Sequence, residues 1–424
     1  MRRTSSTNAI SVIGRLAMLL ALGNSPAQAS PETDALRLEL EALKQRIDEL
    51  EGRLADADQS SLDAKASAAA NDDNAEAAAE GFDVGGALRF NYVWRDFDES
   101  ADSKRGDIGL DLFRLNVDGR SDNILLSAEY RFYTFMNSIH HGWIGYDFGA
   151  AGQIQGGITQ VPFGLLPYAA HNFWFGVPYY IGLGDDYDMG IKYLADFGAW
   201  NLQLAGFKNA ELGDASNLDR YSYDPVTSGD ARNEQTNTLN ARLVYNLEQG
   251  SDCSHELGGS GMWGQLYNRD TDSNGDYWAA AAHIDSRCGR WNLQLEAGRY
   301  AYDPRNPAGI SSDSITFGAF GGTHEVAADG NFGVFNVAYN LPVRWPGVNL
   351  LTCYNDFSVL DKDPDNFDNS YLNTTGCAIG AGPTFTYIDI IRGKNMVFFG
   401  DGSLAGAGDN AWETRYNINV GYYW

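Results

Sequence analysis

From Gly85 to the C-terminus, apolar and polar residues alternate again and again, which is the two-residue period of a β-strand with one apolar face. The last nine residues show the pattern most clearly, with apolar side chains at every second position: Tyr416, Ile418, Val420, Tyr422 and Trp424. A transmembrane β-barrel accounts for a strand that ends on an aromatic residue, because its apolar stripe faces lipid and its aromatic residues lie at the membrane interface. An ordinary half-buried final strand is the alternative.

The same alternation divides the chain into about 16 segments, each close to the ~9–11 residues with which a strand crosses a bilayer. With the N-terminus in the periplasm, the connections after even-numbered strands are brief, although the turn at 249–257 is somewhat longer. The connections after odd-numbered strands include the long loops 162–185, 209–236, 301–330 and 394–411. We therefore predict an all-β fold over residues 85–424, a transmembrane antiparallel β-barrel of about 16 strands.

The first 29 residues have the pattern of a secretory signal peptide. Arginines precede a short apolar run at 16–22, and Ala27-Gln28-Ala29 forms a small-x-small cleavage site. The apolar run is too short to cross a bilayer as a helix, and no later segment is long and apolar enough. If the exported chain is a membrane protein, it must therefore be a barrel.

Residues 30–59 follow a different period. Apolar residues recur at spacings of four and three among charged residues, at Leu36, Leu40, Leu43, Ile47, Leu50 and Leu54. This heptad pattern predicts a periplasmic coiled coil that packs on copies of itself or on a partner. An amphipathic helix lying on its own domain is the alternative. Residues 60–84 are rich in alanine and polar residues, which predicts a flexible linker.

Composition agrees with a barrel and narrows the partners. Aromatic residues make up 13% of the chain, and 48 glycines suit many strands joined by tight turns. The predicted signal peptide holds three arginines and no acid, so 27 basic residues face 56 acidic ones in the mature chain, a net charge of −29. This charge argues against a nucleic-acid partner and is common beside lipopolysaccharide, where divalent cations bridge anions.

Four cysteines in an oxidising periplasm predict two disulfides. Cys353 and Cys377 flank one predicted hairpin loop, whereas Cys253 and Cys288 fall at predicted periplasmic strand ends. We expect the pairs Cys353–Cys377 and Cys253–Cys288. A metal site is the alternative, but no C-x-x-C spacing supports it.

The sequence offers little catalytic chemistry. No nucleophile elbow, zinc-helix or phosphate-loop motif is present. His140 and His141 are adjacent and should point to opposite faces of a strand. The acidic run from Asp361 to Asp368 lacks the glycine and glutamate of a calcium loop, which favours a solvated surface loop. We expect a non-enzymatic protein without cofactor or metal.

The alternation also assigns side chains to the interior of the barrel. It predicts basic residues along the pore at Arg89, Arg95, Arg114, Arg131, Lys192, Arg242 and Arg415. Rings of basic residues favour anions. The alternative is that these side chains pair with interior acids.

Loop 162–185 is too apolar to lie free in water. We expect it either to fold inward as a constriction or to pack against a neighbouring subunit. Its large aromatic side chains include Phe163, Tyr168, Phe173, Trp174 and Tyr179.

Three short segments resemble the phosphate-selective porin O/P superfamily: GITQVPFG at 157–164, FRLNVDG at 113–119 and EYRF at 129–132. With the N-terminal coiled coil, the chain is most similar to the DcaP-like trimeric porins. This resemblance implies a homotrimer of 16-stranded barrels with passive uptake of small anionic solutes such as dicarboxylates or phosphate. It also implies that Arg114 and Arg131 face the lumen. The final strand resembles the signal read by the barrel assembly machinery, with Tyr416, Tyr422 and Trp424 as its aromatic positions.

These patterns together predict a trimeric porin of the bacterial outer membrane, in contact with membrane lipid and lipopolysaccharide and with its coiled coil in the periplasm. The alternative is a structural anchor, a barrel whose coiled coil contacts the cell wall and which conducts little.

Overall fold

A computed structural model describes residues 80–249, 253–408 and 410–424. The predicted signal peptide, coiled coil and all but the end of the linker lie outside these residues. The first half of the described chain forms the strands β1 (Gly81–Arg95), β2 (Asp107–Ser121), β3 (Ile124–Phe132), β4 (Asn137–Asp147), β5 (Gln153–Gln160), β6 (Tyr187–Phe197), β7 (Trp200–Ala210), β8 (Asp224–Pro225) and β9 (Asn233–Gln249). The second half forms β10 (Cys253–Asn268), β11 (Ser273–Cys288), β12 (Trp291–Asp303), β13 (Ser314–Ala319), β14 (Gly322–Ala327), β15 (Asp329–Asn340), β16 (Leu350–Lys362), β17 (Ser370–Ala381), β18 (Thr384–Lys394) and β19 (Glu413–Tyr423).

Sixteen of these strands close into one antiparallel barrel. Each barrel strand pairs with the next one along the chain, with β7 followed by β9 and β12 by β15. The final strand β19 returns to pair with β1, from Ala87 opposite Tyr423 to Arg95 opposite Arg415. The predicted all-β fold with a closed barrel of 16 antiparallel strands is confirmed.

The outer wall of the barrel is apolar. Ile108, Ile144 and Leu239 are 79%, 64% and 61% exposed, because every second side chain on their strands points away from the interior. Aromatic residues are exposed at the end of the barrel with the brief turns: Trp200, Trp291, Trp345 and Trp424. Tyr416 and Tyr422 are also on the outer face of β19. This wall has the apolar band and aromatic girdle of a lipid-facing surface.

Two short helices, α1 (Glu99–Lys104) and α2 (Val177–Tyr180), and a 3₁₀ turn at Gly149–Ala151 complete the described secondary structure. None of the described helices has the length and apolar character needed to cross a membrane.

The two ends of the barrel differ, and we refer to them as the short-turn end and the long-loop end. At the long-loop end, the connections 161–186, 211–232, 304–328 and 395–412 are extended, although 133–136 and 269–272 are brief. Parts of two of these loops form a small sheet of β14, β13 and β8, which the sequence did not predict. Phe317 and Val326 of this sheet pack in one buried cluster with the inward-facing Leu266 and Leu360 of the barrel.

Both predicted disulfides are confirmed. Cys253 of β10 lies directly opposite Cys288 of β11, with their Cα atoms 4.2 Å apart. Cys353 of β16 lies opposite Cys377 of β17, with a Cα separation of 4.0 Å. Each bond therefore joins neighbouring strands of one hairpin.

Candidate functional site

The connection between β5 and β6, residues 161–186, enters the barrel; we call it the inward segment. It turns at Gly164, whose φ of +61° lies in the left-handed region. The Gly164 amide donates a hydrogen bond to Ser260 Oγ (2.9 Å) on the inner face of β10. A Cβ atom at this position would clash with the carboxylate of Glu296. Glycine therefore allows the chain to leave the wall and cross the interior.

The inward segment is anchored to the wall formed by β12, β15 and β16. The backbone amide of His171 donates to Asp356 Oδ2 (2.6 Å), its Nδ1 lies 2.7 Å from Asp356 Oδ1, and Asn172 donates to the same carboxylate at 2.8 Å. Farther along, the Val177 amide donates to Ser358 Oγ (2.9 Å). These contacts lie inside the barrel, so the segment covers carboxylates of this wall.

The protonation equilibrium of His171, the anchoring histidine, is shifted. Burial disfavours the protonated imidazole of His171, but its ion pair and hydrogen bond with Asp356 outweigh burial. The pKa of His171 is therefore raised above its ordinary value. A protonated His171 supplies a positive charge to a carboxylate that is otherwise buried.

A cavity of about 530 Å³ remains between the inward segment and the opposite wall. Five arginines on β19, β1, β2 and β3 line it, whereas Asp111 and Asp185 are the only carboxylates among the described residues that do. All five were predicted from alternation: Arg89, Arg95, Arg114, Arg131 and Arg415. Aromatic rings form most of the remaining lining, among them Tyr168, Phe173, Trp174 and Tyr179 of the inward segment.

Three of the arginines have carboxylate partners in the wall. Arg89 Nε lies 2.9 Å from Asp111 Oδ2, and Arg114 Nη1 lies 3.2 Å from Glu129 Oε2. Arg131 pairs with the other oxygen of Glu129 and lies over the ring of Tyr221 at 4.4 Å. One glutamate therefore contacts two arginines that face each other across β2 and β3.

Arg95 and Arg415 form a second facing pair, across β1 and β19. Arg95 reaches Asp98 at 3.0 Å. Arg415 lies 3.9 Å from the ring centroid of Trp174, and no carboxylate of the described residues lies within ion-pair distance of it. Like charges directly opposite each other on neighbouring strands destabilise a sheet. This pair therefore provides a positive site that an anion would stabilise.

The other predicted basic residues lie elsewhere. Lys192 Nζ donates to the Gln160 carbonyl (2.9 Å), and Arg242 Nε donates to the Gly164 carbonyl (2.8 Å). Arg242 also pairs with Glu256. Both side chains are buried beside the start of the inward segment, outside the cavity lining. Phe163 is buried there too, apart from the other four predicted aromatic residues.

Two β-bulges bring polar groups to the cavity that strict alternation places wrongly. On β2, Leu112 pairs with Arg89 and Leu110 with Phe90, so Asp111 is the extra residue. On β4, His141 pairs with Glu129 and Ile139 with Tyr130, so His140 is extra. The expectation that His140 and His141 point to opposite faces is wrong, since both are buried with their Nδ1 atoms 2.9 Å apart.

Several solved structures share this architecture. The chain is similar to the outer membrane channel DcaP of Acinetobacter baumannii, with a TM-score of 0.54 and 11% identity over 81% of this chain and 97% of that one. It is also similar to an anion-selective porin from Comamonas acidovorans, with a TM-score of 0.52 and 13% identity over 81% of this chain and 99% of that one. A third similar structure is OprB of Pseudomonas putida, with a TM-score of 0.53 and 9% identity over 81% of this chain and 94% of that one.

Identities this low show the fold and nothing finer. The chain has the fold of the outer-membrane porins. No protein-family model matches the sequence, and no curated protein matches it either.

Proposed function

We propose that the protein is an outer-membrane porin that lets small anionic solutes diffuse passively, with dicarboxylates and phosphate as candidate solutes. The observation that carries this proposal is the cavity with five arginines and two carboxylates. An excess of guanidinium groups in a confined space lowers the free energy of an anion relative to a cation of the same size. The inward segment would narrow the path and place aromatic rings beside the arginines.

The apolar outer wall and its exposed tryptophans support a location in the outer membrane. In that setting the final residues of β19 would act as the signal for barrel assembly, with Tyr416, Tyr422 and Trp424 exposed toward the machinery. The resemblance to DcaP-like trimeric porins supports a homotrimer held together by residues 30–59. The domain order would then be signal peptide 1–29, coiled coil 30–59, linker 60–84 and barrel 85–424.

Reversal potentials test the proposal directly. The full mature chain, refolded in detergent and inserted into a planar bilayer, is measured under a KCl gradient. We expect stable conductance with a reversal potential on the chloride side, and permeation when succinate or phosphate replaces chloride. A barrel that inserts but does not conduct would favour the structural anchor. A cation-leaning reversal potential would contradict the assigned role of the arginines.

A further inference from the structure

A cluster of four carboxylates is buried at the long-loop end of the barrel, apart from the arginine-lined cavity. Asp186 ends the inward segment, Asp188 lies in β6, Glu211 follows β7 and Asp224 lies in β8. None is more than 5% exposed. One carboxylate oxygen from each of the three aspartates lies within 4.8 Å of the others.

The positive charge around this cluster is too small to balance it. Arg220 is fully buried, and its Nη1 lies 3.4 Å from Asp224 Oδ2 and 3.5 Å from Glu211 Oε2. Its Nε and Nη2 donate to backbone carbonyls instead. Among the described residues, no other cation forms an ion pair with these acids. Four carboxylates therefore share one guanidinium.

Asp186 has an oxygen that lacks a partner. Its Oδ1 is buried, and no hydrogen-bond donor of the described residues reaches it. By contrast, Asp188 Oδ1 accepts a hydrogen bond from Gln235 (2.7 Å). A buried carboxylate oxygen without a donor is costly unless a cation or a proton satisfies it.

The chemistry of the cluster selects the kind of cation. All the available ligands are hard oxygen atoms, with no nitrogen or sulfur among them. Calcium takes oxygen ligands at about 2.3–2.6 Å, so two ligands of one ion lie at most about 5 Å apart, and the separation within this cluster fits that limit. Burial, followed by repulsion from neighbouring carboxylates, raises the pKa of Asp186 and of Asp224 well above the usual range, so protons are the competing occupants.

We propose that Asp186, Asp188 and Asp224 bind one calcium ion per chain, with Glu211 and Arg220 completing the charge balance around it. The three ligands come from the end of the inward segment, from β6 and from β8. Bound calcium would therefore fix the inward segment and the small β8–β13–β14 sheet to the barrel wall. This inference stands whether or not the barrel conducts anions.

The experiment uses the full mature chain refolded from inclusion bodies in detergent, which is free of lipopolysaccharide and its calcium. After treatment with EGTA and its removal, CaCl₂ is titrated in a calorimeter and the thermal unfolding midpoint is recorded. We expect one saturable site per chain and a higher midpoint with calcium. Asp188→Asn should abolish both effects. Asp219→Asn, which removes an exposed acid from the connection that carries Glu211 and Asp224, should change neither.

Heat-modifiable mobility in gels shows whether each variant still forms a barrel. If Asp188→Asn fails to fold, Asp224→Asn replaces it, because that residue lies outside the barrel strands. A folded wild-type barrel without a calcium-binding heat would overturn the proposal, as would equal binding by the Asp224 variant. A midpoint that ignores calcium but rises as the pH falls would assign the site to protons.

Discussion

The two sides of the barrel interior carry ionisable side chains of opposite sign, and they differ in whether the inward segment and other side chains cover these groups. The side formed by β19 and β1–β3 presents its arginines to the cavity. The side formed by β10–β12 and β15–β18 carries Glu256, Glu296, Asp356 and Asp389, each in contact with another side chain or with the inward segment. The net charge of an interior wall therefore says little about the path of a solute. What matters is which of its charges the loops leave uncovered.

The largest change in conductance should come from removing the inward segment. Replacing residues 165–184 by a short glycine-serine linker deletes the inward segment between its two ends. In the proposed pore, we expect single-channel conductance to rise severalfold and anion preference to fall. The reason is that the cross-section widens while Glu296 and Asp356 become accessible to solutes.

Deleting residues 307–312 provides the matched control, since this stretch lies in a mostly exposed loop between β12 and β13. Its loss should leave conductance and selectivity unchanged. If the variant without 165–184 conducted like the parent protein, the current would not pass beside the inward segment, and the comparison between covered and open walls would lose its functional meaning.

A smaller effect on ion selectivity is expected from a substitution on the wall of β19 and β1–β3, which carries the cavity arginines. Arg415→Glu moves two units of charge at a residue that forms no ion pair with a carboxylate in the described part of the chain. At about 6 Å in water this change is worth on the order of 1 kcal/mol before screening. We expect the anion-to-cation permeability ratio to fall about threefold to tenfold. Arg392→Glu on β18 is the control, because it makes the same change at an exposed residue outside the cavity lining. Equal shifts in both variants would indicate a surface effect.

The contrast between the two walls was only partly predictable. Alternation located all five cavity arginines, because a strand with one lipid-facing side fixes the side of every other residue. It gave the wrong face for His140 and did not identify Asp111, because at each of these residues a bulge inserts one residue and reverses the phase. The inward segment could be recognised from its aromatic residues, but its anchoring contacts with Asp356, Glu296 and Ser358 join residues more than 100 positions apart. No local pattern encodes such pairings.

The smallest expected effect is a pH dependence of the attachment of the inward segment to Asp356. Because the pKa of His171 is raised above the unfolded value near 6.5, its stabilising contribution is complete below that value and is lost as pH rises through the folded pKa. We therefore expect current fluctuations to increase from pH 6 to pH 9, as the inward segment loses part of its hold on Asp356.

His171 of the inward segment and His324, which contacts that segment, allow a matched test of this idea. His171→Gln should remove the pH dependence, because glutamine still donates a hydrogen bond but does not titrate. His324 lies 2.9 Å from the Tyr180 carbonyl, and burial lowers its pKa to about 4, so it stays neutral throughout this range. His324→Gln should therefore leave the pH dependence intact. If fluctuations rose equally with pH in the His171 variant, another titrating group would cause the pH dependence, and the role assigned to His171 would be wrong.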